Sequence, residues 1–421
     1  MKKCLRLLPL AVIVASLIFL QGCMKDSCQR TFKIYKPIYK TLAEVRAEMK
    51  STEPQSLKNT GKLNVFGSYI FLNEVGKGIH VINNANPSDP KNIGFISIPN
   101  NIDLAIKGNY LYADSYSDII VFDISNPVNV TPVKFMNNVM KEKNVYWGGS
   151  TNDPGQIKVA VGYTEKDTTV NCNESNYSLS SCSSCSVTNA TSGVGLYAAA
   201  PTTGTGGSMA SFTIVNNYLY TVGSASLYSI DISNPQDPQQ ASTKLMGWGI
   251  ESIYPFQNKL FIGSRTGMFI FDLSNPANPT QQGGFTHARS CDPVIADGQY
   301  AYVTLRGGTA CNSFTNELNV IDVSNLSAPV LKTRYTLTNP HGLAKDGATL
   351  LICDGKDGLR IYDASAPLSL QLSKTISGIE TYDVIAMNNH AIVVAKDGLY
   401  QYDYSNRTNP KLLSKMVTLK N

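Results

Sequence analysis

The residues Val121-Phe122-Asp123-Ile124-Ser125-Asn126-Pro127 form a signature that recurs along the chain. It consists of a short apolar run, an aspartate, a small polar residue and, in most copies, Asn-Pro. Later copies have Asp231, Asp272, Asp322, Asp363 and Asp403 at the aspartate position, and an earlier, weaker copy has Asn83 there. The copies are about 40 residues apart, except for two longer intervals before Asp231 and Asp322. A repeat of this length has to be identified first, because it decides the fold.

The sequence of each repeat unit predicts four short strands. In the clearest unit they are Asp103–Ile106, Tyr110–Tyr112, Ile119–Phe122 and, after the signature, Pro132–Phe135. Alternating apolar and polar residues favour strands, and four strands in about 40 residues are typical of a β-propeller blade. The sequence therefore predicts an all-β, seven-bladed β-propeller. Six or eight blades remain alternatives, and eight is the main one because residues 136–205 could hide a degenerate blade.

The polar residues of the signature have a local structural role. Asp, Ser and Asn side chains accept hydrogen bonds from nearby backbone amides and stabilise turns. Proline cannot donate to a β-ladder and ends strand pairing. We therefore interpret Asp123, Asp231 and Asp272 as turn residues and not as catalytic carboxylates.

The blade pattern resembles the LVIVD-repeat family of bacterial propeller lipoproteins. The clearest copy joins Tyr110–Asp114 to Ile119–Asp123, and Cys291–Val294 and Tyr300–Arg306 are also similar to the family pattern. The resemblance covers residues 60–421 and departs from the pattern over 136–205. It implies a propeller attached to a bacterial surface, and it implies no particular activity.

The N-terminus has the features of a lipoprotein signal peptide. Positive residues precede Leu7–Leu20, an uncharged run that is shorter than the roughly 20 residues a transmembrane helix needs. The following Leu20-Gln21-Gly22-Cys23 resembles a bacterial lipobox. We expect residues 1–22 to be removed and Cys23 to carry the lipid that anchors the protein to a membrane. The expected location is the bacterial cell envelope, at the outer membrane or cell surface.

The remaining chain divides into a spacer and a propeller. Residues 23–62 are the predicted spacer, which we expect to pack on one blade, with Thr31–Tyr35 as a strand and Thr41–Met49 as a helical turn or two. Residues 63–421 are the predicted propeller, with the insertion 136–205 projecting from its second blade. The Gly- and Thr-rich end of the insertion, Thr202–Ser208, reads as a loop with a tendency to disorder.

Charge and motifs exclude several function classes. Loss of Lys2, Lys3 and Arg6 with the signal reduces the formal net charge from +5 to +2, which does not favour nucleic-acid binding. The four histidines form no close metal pair, no Gly-x-Ser-x-Gly elbow is present, and Cys182–Cys185 is a lone CxxC. We expect the protein to bind neither a cofactor nor a metal ion, and we expect it to be a monomer.

Charged residues are predicted to converge on one end of the propeller. The start of each innermost strand and the loop between the second and third strands lie on the same face of a blade. The candidate ligand-binding residues there are Asp103, Asp114, Glu251, Arg265, Asp292, Arg306, His341, Asp354 and Asp383, with Asp357 and Lys396 in the same loops. Arg306, Asp292 and His341 are the strongest candidates.

Two function classes fit these residues. The first is a non-enzymatic binding or scaffold module with an unidentified ligand or protein partner. The second is a hydrolase or lyase acting on glycans or peptides at the same face, which would be favoured by two carboxylates about 5–9 Å apart.

A disulfide is predicted between Cys291 and Cys311. Both residues belong to the fifth unit, at the start of its first strand and in its unusually long second loop, so both lie on the same face. Exported proteins can form disulfides. The pairing of Cys28, Cys172, Cys182, Cys185 and Cys353 is left open.

Overall fold

A computed structural model describes residues 29–143, 146–147, 153–171, 203–287, 290, 293–308 and 315–419. The chain divides into two compact units, and the smaller one contains the described residues 29–39 and 162–171. The larger unit contains the other described residues. Within these ranges no helix is both long and apolar enough to cross a lipid bilayer.

The smaller unit is a strand ribbon. Its residues belong to β1 (Gln29–Thr41) and β12 (Lys158–Asn171), which are hydrogen-bonded neighbours in one sheet. The short β11 (Tyr146–Trp147) pairs with β12 at Lys158 and Val159, within the larger unit. Lys33 Nζ lies 2.5 Å from Glu165 Oε2 across the ribbon, and both side chains are largely exposed. The strand predicted over Thr31–Tyr35 is therefore confirmed, and it is longer than expected.

Seven antiparallel sheets, the blades, form most of the larger unit, and each contains four strands, A to D, in chain order. Blade 1 consists of β3 (Thr60–Phe66), β4 (Tyr69–Glu74), β5 (Gly78–Asn83) and β6 (Lys91–Ser97). Blade 2 consists of β7 (Leu104–Lys107), β8 (Tyr110–Ser115), β9 (Asp118–Asp123) and β10 (Thr131–Met136). Blade 3 consists of β13 (Phe212–Val215), β14 (Tyr218–Val222), β15 (Ser226–Asp231) and β16 (Gln239–Leu245). Blade 4 consists of β17 (Ile250–Phe256), β18 (Lys259–Ser264), β19 (Gly267–Asp272) and β20 (Thr280–Thr286). Blade 5 consists of β21 (Val294–Asp297), β22 (Tyr300–Leu305), β23 (Glu317–Asp322) and β24 (Val330–Thr336). Blade 6 consists of β25 (Leu343–Asp346), β26 (Thr349–Cys353), β27 (Leu359–Asp363) and β28 (Gln371–Ile376). Blade 7 is β29 (Thr381–Met387), β30 (His390–Ala395), β31 (Gly398–Asp403), β32 (Lys411–Val417).

The blades form a closed ring, so the predicted seven-bladed β-propeller is confirmed. Strand A of each blade contacts strand A of the next from blade 1 to blade 7. One apolar cluster fills each of the seven junctions between neighbouring blades, including the junction between blade 7 and blade 1. Each blade buries its apolar faces only against its neighbours, which is the source of stability in repeat folds.

The ring closes without sharing a strand between its ends. Blade 1 and blade 7 are each built from one continuous segment, and their junction packs residues such as Leu63 and Val65 against Ile385 and Val394. At the same junction, Gln401 Nε2 donates to Asn84 Oδ1 at 2.7 Å. Side-chain packing and hydrogen bonds therefore join the first blade to the last.

The signature forms the C–D turn of every blade. In all six full copies the aspartate accepts a hydrogen bond from the backbone amide two residues later, for example Asp123 Oδ1 from Ser125 N at 2.8 Å. In the weaker copy Asn83 Oδ1 accepts from Ala85 N at 3.0 Å. The turn role predicted for these residues is confirmed.

The strand directions give the ring two different ends. The upper face carries the starts of strand A and the B–C loops, and the lower face carries the A–B turns and the signature turns. The candidate ligand-binding residues named above belong to the upper face where the structure describes them, as their positions in the strands show.

Spacer residues 41–52 extend the sheet of blade 1 and also pack at its junction with blade 2, so the predicted packing on one blade is only part of the arrangement. The helix α1 (Leu42–Ala47) begins with a capping box formed by Thr41 and Glu44. Val45 and Met49 are buried in the apolar cluster between blades 1 and 2. The short β2 (Ser51–Thr52) then pairs with β6 and covers the outer edge of blade 1.

The end of the insertion enters the ring beside blades 1 and 2. Thr203 forms an antiparallel bridge with Lys107 at the lower end of β7, and Thr205 forms one with Val65 in β3. Gly204 N donates to the carbonyl oxygen of Ile106 at 2.6 Å. This segment therefore follows the innermost strands upward from the lower face.

The same segment then reaches the opposite side of the ring. Ser208 Oγ accepts from Leu343 N of blade 6 at 2.9 Å, and the carbonyl oxygen of Ala210 accepts from Ile253 N of blade 4 at 2.8 Å. Since these partners belong to innermost strands, residues 203–211, here called the channel segment, run through the centre of the propeller. The prediction of a loop is confirmed for 203–208, which form only isolated bridges and a turn, while the predicted tendency to disorder does not fit a segment whose residues 203–205 pair with strands A of blades 1 and 2.

Glycine at position 204 permits this close approach. A Cβ atom there would lie 1.9 Å from Asn64 Oδ1 and 2.9 Å from Ile106 Cβ. Gly-rich sequence is ambiguous between a free loop and a segment that approaches another backbone closely. Only the packing decides between the two.

Candidate functional site

Asp103 is buried at the start of strand A in blade 2 and is saturated by neighbouring donors. Its Oδ2 accepts from Ser211 N at 2.5 Å, from Phe212 N at 3.1 Å and from Lys62 Nζ at 3.1 Å. Its Oδ1 accepts from Leu104 N at 2.7 Å. The carboxylate fixes the upper end of the channel segment to blades 1 and 2.

Asp114 is equally enclosed, near the end of strand B in blade 2, next to the B–C loop. Its Oδ1 accepts from the amides of Ile102 and Asp103 at 2.8 and 2.9 Å and from Asn101 Nδ2 at 2.9 Å. Its Oδ2 accepts from Lys143 Nζ at 2.7 Å. Both oxygens therefore hold the loop in place.

Asp354 and Asp383 occupy the corresponding places in blades 6 and 7 and are fully buried. Asp354 accepts from Asn339 N at 2.8 Å and forms an ion pair with Arg360 Nε at 2.6 Å. Asp383 Oδ1 accepts from Val384 N at 2.8 Å. These contacts give both carboxylates the function of fixing strand ends.

Arg306 and His341 come together between blades 5 and 6. Arg306 Nη1 lies 2.6 Å from His341 Nδ1 and 3.2 Å from its Nε2. The imidazole is also 3.2 Å from Asn339 Nδ2 and makes an edge contact with the Tyr382 ring, at 5.4 Å between centroids. The backbone of His341 is fixed because its carbonyl oxygen accepts from Thr304 Oγ1 at 2.7 Å.

The electrostatics of this pair differ from those of the buried acids. Burial and the neighbouring Arg306 charge lower the pKa of His341 to about 3, so the imidazole is neutral. A guanidinium can only donate hydrogen bonds, and a neutral imidazole can accept one. Burial also lowers the pKa of Arg306, against the opposing charge of Glu251. Among the described residues, the hydrogen-bond partner of this mostly buried cation is thus a neutral ring and not a carboxylate.

Blade 4 contributes an ion pair and an exposed tryptophan. Arg265 Nε donates to Glu251 Oε1 at 2.8 Å, and the Arg265 side chain is 49% exposed. Trp248 precedes β17, the first strand of blade 4, and its side chain is 82% exposed. Its neighbour Gly249 accepts a hydrogen bond from Arg265 N at 2.8 Å, which links the tryptophan loop to the ion pair.

The other charged candidates of the upper face are paired. Asp357 contacts Arg360 at 3.2 Å, and Lys396 contacts Glu380 at 2.7 Å. The described ranges contain no group of three or more His, Cys, Asp or Glu residues that could hold a metal ion.

The lower face has a pocket of its own, away from the predicted site. It has a volume of 660 Å³ and is lined by Lys107, Thr203, Ile214, Asn216, Asn217, Tyr218, Ser233 and Pro276. Its cation, Lys107, already donates to the Asn216 carbonyl and to Asn217 Oδ1. We therefore place the candidate site on the upper face, where the hydrogen-bond partner of Arg306 among the described residues is the neutral ring of His341.

Four predicted residues lie outside the described residues. They are Cys23, Asp292, Cys291 and Cys311. The Cys291–Cys311 disulfide stays a prediction, which non-reducing peptide mapping tests. Cys353, which is described, is buried at the end of β26 and is free.

Comparison with known families agrees with the blade assignment. The LVIVD repeat family profile matches residues 100–137, 206–243, 258–286 and 288–337, which correspond to blades 2, 3, 4 and 5. The chain contains LVIVD repeats. Blades 1, 6 and 7 of this LVIVD-repeat protein have the same four-stranded form outside the matched segments. No curated protein matches the chain.

Solved structures similar to this LVIVD-repeat protein support the fold alone, because their identities are low. Sqt1 from Saccharomyces cerevisiae has a TM-score of 0.52 at 9% identity, with 87% of each chain covered. A Lactobacillus plantarum protein has a TM-score of 0.51 at 13% identity, covering 86% of this chain and 97% of that one. The computationally designed protein Ika8 has a TM-score of 0.50 at 9% identity, covering 87% and 92%.

Sequence reasoning missed three residues of the upper face: Trp248, Asn339 and Tyr382. The signal for Trp248 was present, since Gly247-Trp248-Gly249 contains one of only two tryptophans and stands between two predicted strands. Asn339 and Tyr382 carry no comparable signal, because their proximity to His341 depends on how blades 6 and 7 pack.

Proposed function

We propose that this LVIVD-repeat protein is a non-enzymatic binding module of the bacterial cell envelope and that it binds its ligand on the upper face. The proposal includes a lipid on Cys23 as the membrane anchor, a location at the outer membrane or cell surface, and a monomeric chain. Its ligand is extracytoplasmic, and nucleic acid is not among its partners.

The observation that carries the binding role is the environment of Arg306. A buried charge is costly unless it is paired, and the described partner of Arg306 is the neutral His341. An incoming anionic group would complete the hydrogen bonding of the guanidinium at low desolvation cost, because the site is already largely dehydrated. Asp103 and Asp114 of the same face offer no such opportunity, since each already accepts several hydrogen bonds.

The alternative hydrolase or lyase function receives no support from the described residues. Glycoside hydrolysis by the common route needs two carboxylates facing the bond to be cleaved. The described candidate carboxylates either accept backbone amides, as Asp354 does, or form ion pairs, as Glu251 does with Arg265. We therefore propose binding without catalysis.

The lipid anchor rests on the order of segments at the N-terminus. A positive start, an uncharged apolar run and a small residue before Cys23 are typical of exported lipoproteins. Mass spectrometry of the mature N-terminus is expected to find an acylated Cys23. Cleavage elsewhere, or an unmodified cysteine, would refute the anchor.

The binding face is tested by cosedimentation of the purified protein with envelope fractions of the producing bacterium. We expect Trp248→Ala and Arg306→Met to reduce binding at least tenfold. Arg407→Met is the matched control, because Arg407 is a cation of the lower face that pairs with Asp363 at 3.0 Å. Equal loss in all three variants, or loss in the control alone, would refute the upper face as the binding surface.

A further inference from the structure

We propose that the ligand of the upper face is an acidic oligosaccharide, with its carboxylate bound by Arg306 and a sugar ring packed on Trp248. This inference rests on the proposed function and adds the chemical class of the ligand. It combines three neighbouring features, each suited to a different part of such a molecule.

The first feature is the presentation of Trp248. Its loop is held at two points, since Gly249 N donates to the Ser224 carbonyl and the Gly249 carbonyl accepts from Arg265 N, both at 2.8 Å. Gly247 and Gly249 have φ values of 107° and 86°, which favour glycine. The 82% exposed indole is a flat apolar platform, and an aromatic side chain has few rotatable bonds to order on binding. The C–H face of a sugar ring matches such a platform.

The second feature is the ion pair of Arg265 and Glu251. Its hydrogen bond uses Arg265 Nε and Glu251 Oε1. The terminal nitrogens of Arg265 and the second oxygen of Glu251 make no other ion pair with described residues. A hydroxyl group both donates and accepts, so neighbouring hydroxyls of a sugar can bind to this donor and acceptor together.

The third feature is Arg306. A guanidinium presents a planar set of donors that matches a carboxylate in a bidentate arrangement. In the surroundings formed by His341, Asn339 and Tyr382, such a pair is weakly screened by water.

The three features lie on the upper face of two neighbouring blades, 4 and 5. A Cβ at Gly249, next to Trp248, would lie 3.1 Å from Arg265 Cβ, and Arg265 pairs with Glu251. Glu251 lies in strand A of blade 4, which contacts strand A of blade 5, and Arg306 follows strand B of blade 5 on the same face. Together they offer sites for an apolar ring face, for hydroxyls and for a carboxylate, which an acidic sugar carries in one molecule. An acidic peptide would supply the carboxylate and apolar groups but not neighbouring hydroxyls.

The test measures dissociation constants of the purified protein by calorimetry for a panel of probes. The panel contains uronate- and sialate-bearing oligosaccharides, the same oligosaccharides after reduction of their carboxyl groups, and Glu-rich peptides of matched charge. We expect at least one acidic oligosaccharide to bind at least tenfold more tightly than its reduced form and than the peptides.

The variants assign the two ends of the ligand. Arg306→Met is expected to abolish the preference for the acidic over the reduced oligosaccharide. Trp248→Ala is expected to weaken both forms by a similar factor, leaving that preference in place. Leu412→Ala, which removes an exposed apolar side chain from the outer strand β32, is the control and should change neither.

Several outcomes would overturn the ligand class. They are equal binding of acidic and reduced sugars, tighter binding of the peptides, an unchanged acid preference in Arg306→Met, or no binding of any oligosaccharide. If envelope binding remained sensitive to Trp248→Ala in that last case, the ligand class would be wrong while the binding face would stand.

Discussion

The two sides of the upper face use charge in opposite ways. Around blades 1–3 the charges are acids such as Asp103, which bind backbone amides, Lys62 and the channel segment. Between blades 5 and 6 the cation Arg306 has a neutral histidine as its described partner, beside the acid Asp354 of blade 6, which binds backbone amides and Arg360. A charged residue at the end of a blade is therefore structural where neighbours fill its hydrogen-bonding capacity, and a candidate for binding where they do not.

The largest expected effect is on the structural side of this comparison. Asp103→Ala should lower the free energy of unfolding by about 3–5 kcal/mol, because it leaves the buried Lys62 ammonium without its carboxylate. Urea denaturation measures the change. Glu251→Ala is the matched control, an acid at the same place in blade 4 whose ion pair is partly exposed. It should cost less than about 1 kcal/mol, and similar losses in both variants would remove the distinction between the two sides.

The channel segment should be the next most sensitive feature. Gly204→Ala is expected to destabilise by about 1–3 kcal/mol, since its Cβ would overlap Asn64 and crowd Ile106. Gly94→Ala is the control, because the nearest atom to a Cβ there is 3.9 Å away. It should change stability by less than about 1 kcal/mol. Equal melting temperatures for the two variants would contradict the close packing of the channel segment.

The signature turns predict how stability responds to acid. Hydrogen bonds from Ser274 and Lys259 lower the pKa of Asp272 to about 2, and those from Ser324 and Lys332 lower the pKa of Asp322 to about 2. Since an unfolded aspartate titrates near about 3.9, the stabilising effect is fully present above that pH and is lost as pH falls toward 2. Urea midpoints measured from pH 5 to pH 2 should decrease.

Ser324→Ala provides the internal check on this pH dependence. It removes the side-chain hydrogen bond of 2.6 Å to Asp322, so the pKa of Asp322 should rise and the slope of stability with pH should become smaller. A midpoint that stays constant down to pH 2 in the unchanged protein would show that the turns do not govern acid stability.

The smallest expected change in stability is on the binding side. Arg306→Ala should alter the free energy of unfolding by no more than about 1 kcal/mol, because the described hydrogen bond it breaks is to a neutral ring. Thermal and urea denaturation measure this, alongside the loss of ligand binding. A large destabilisation with intact binding would assign Arg306 to the structure and would make the two sides of the face alike.

The fold was predictable because its signals are local. The signature specifies a turn through hydrogen bonds between residues two positions apart, such as Asp123 and Ser125, and its repetition determines the number of blades. The same locality placed Arg306 and His341 on one face, since equivalent positions of a repeat lie at the same end of the ring.

Two features depended on contacts between residues far apart in the chain. The glycines at 204 and 206 read as a loop by sequence, and only the ring around them shows that they line a channel beside Asn64. Asp103 and Arg306 are both charged residues at the ends of blades. Their different roles follow from what surrounds them, Ser211 and Lys62 in one case and His341 in the other.

Sequence by itself determined the repeat, the turns and the all-β ring, because those follow from backbone chemistry within each unit. Only the tertiary structure determined which charged side chains have their hydrogen-bonding atoms occupied, because this depends on burial and on partners that other blades and the channel segment supply.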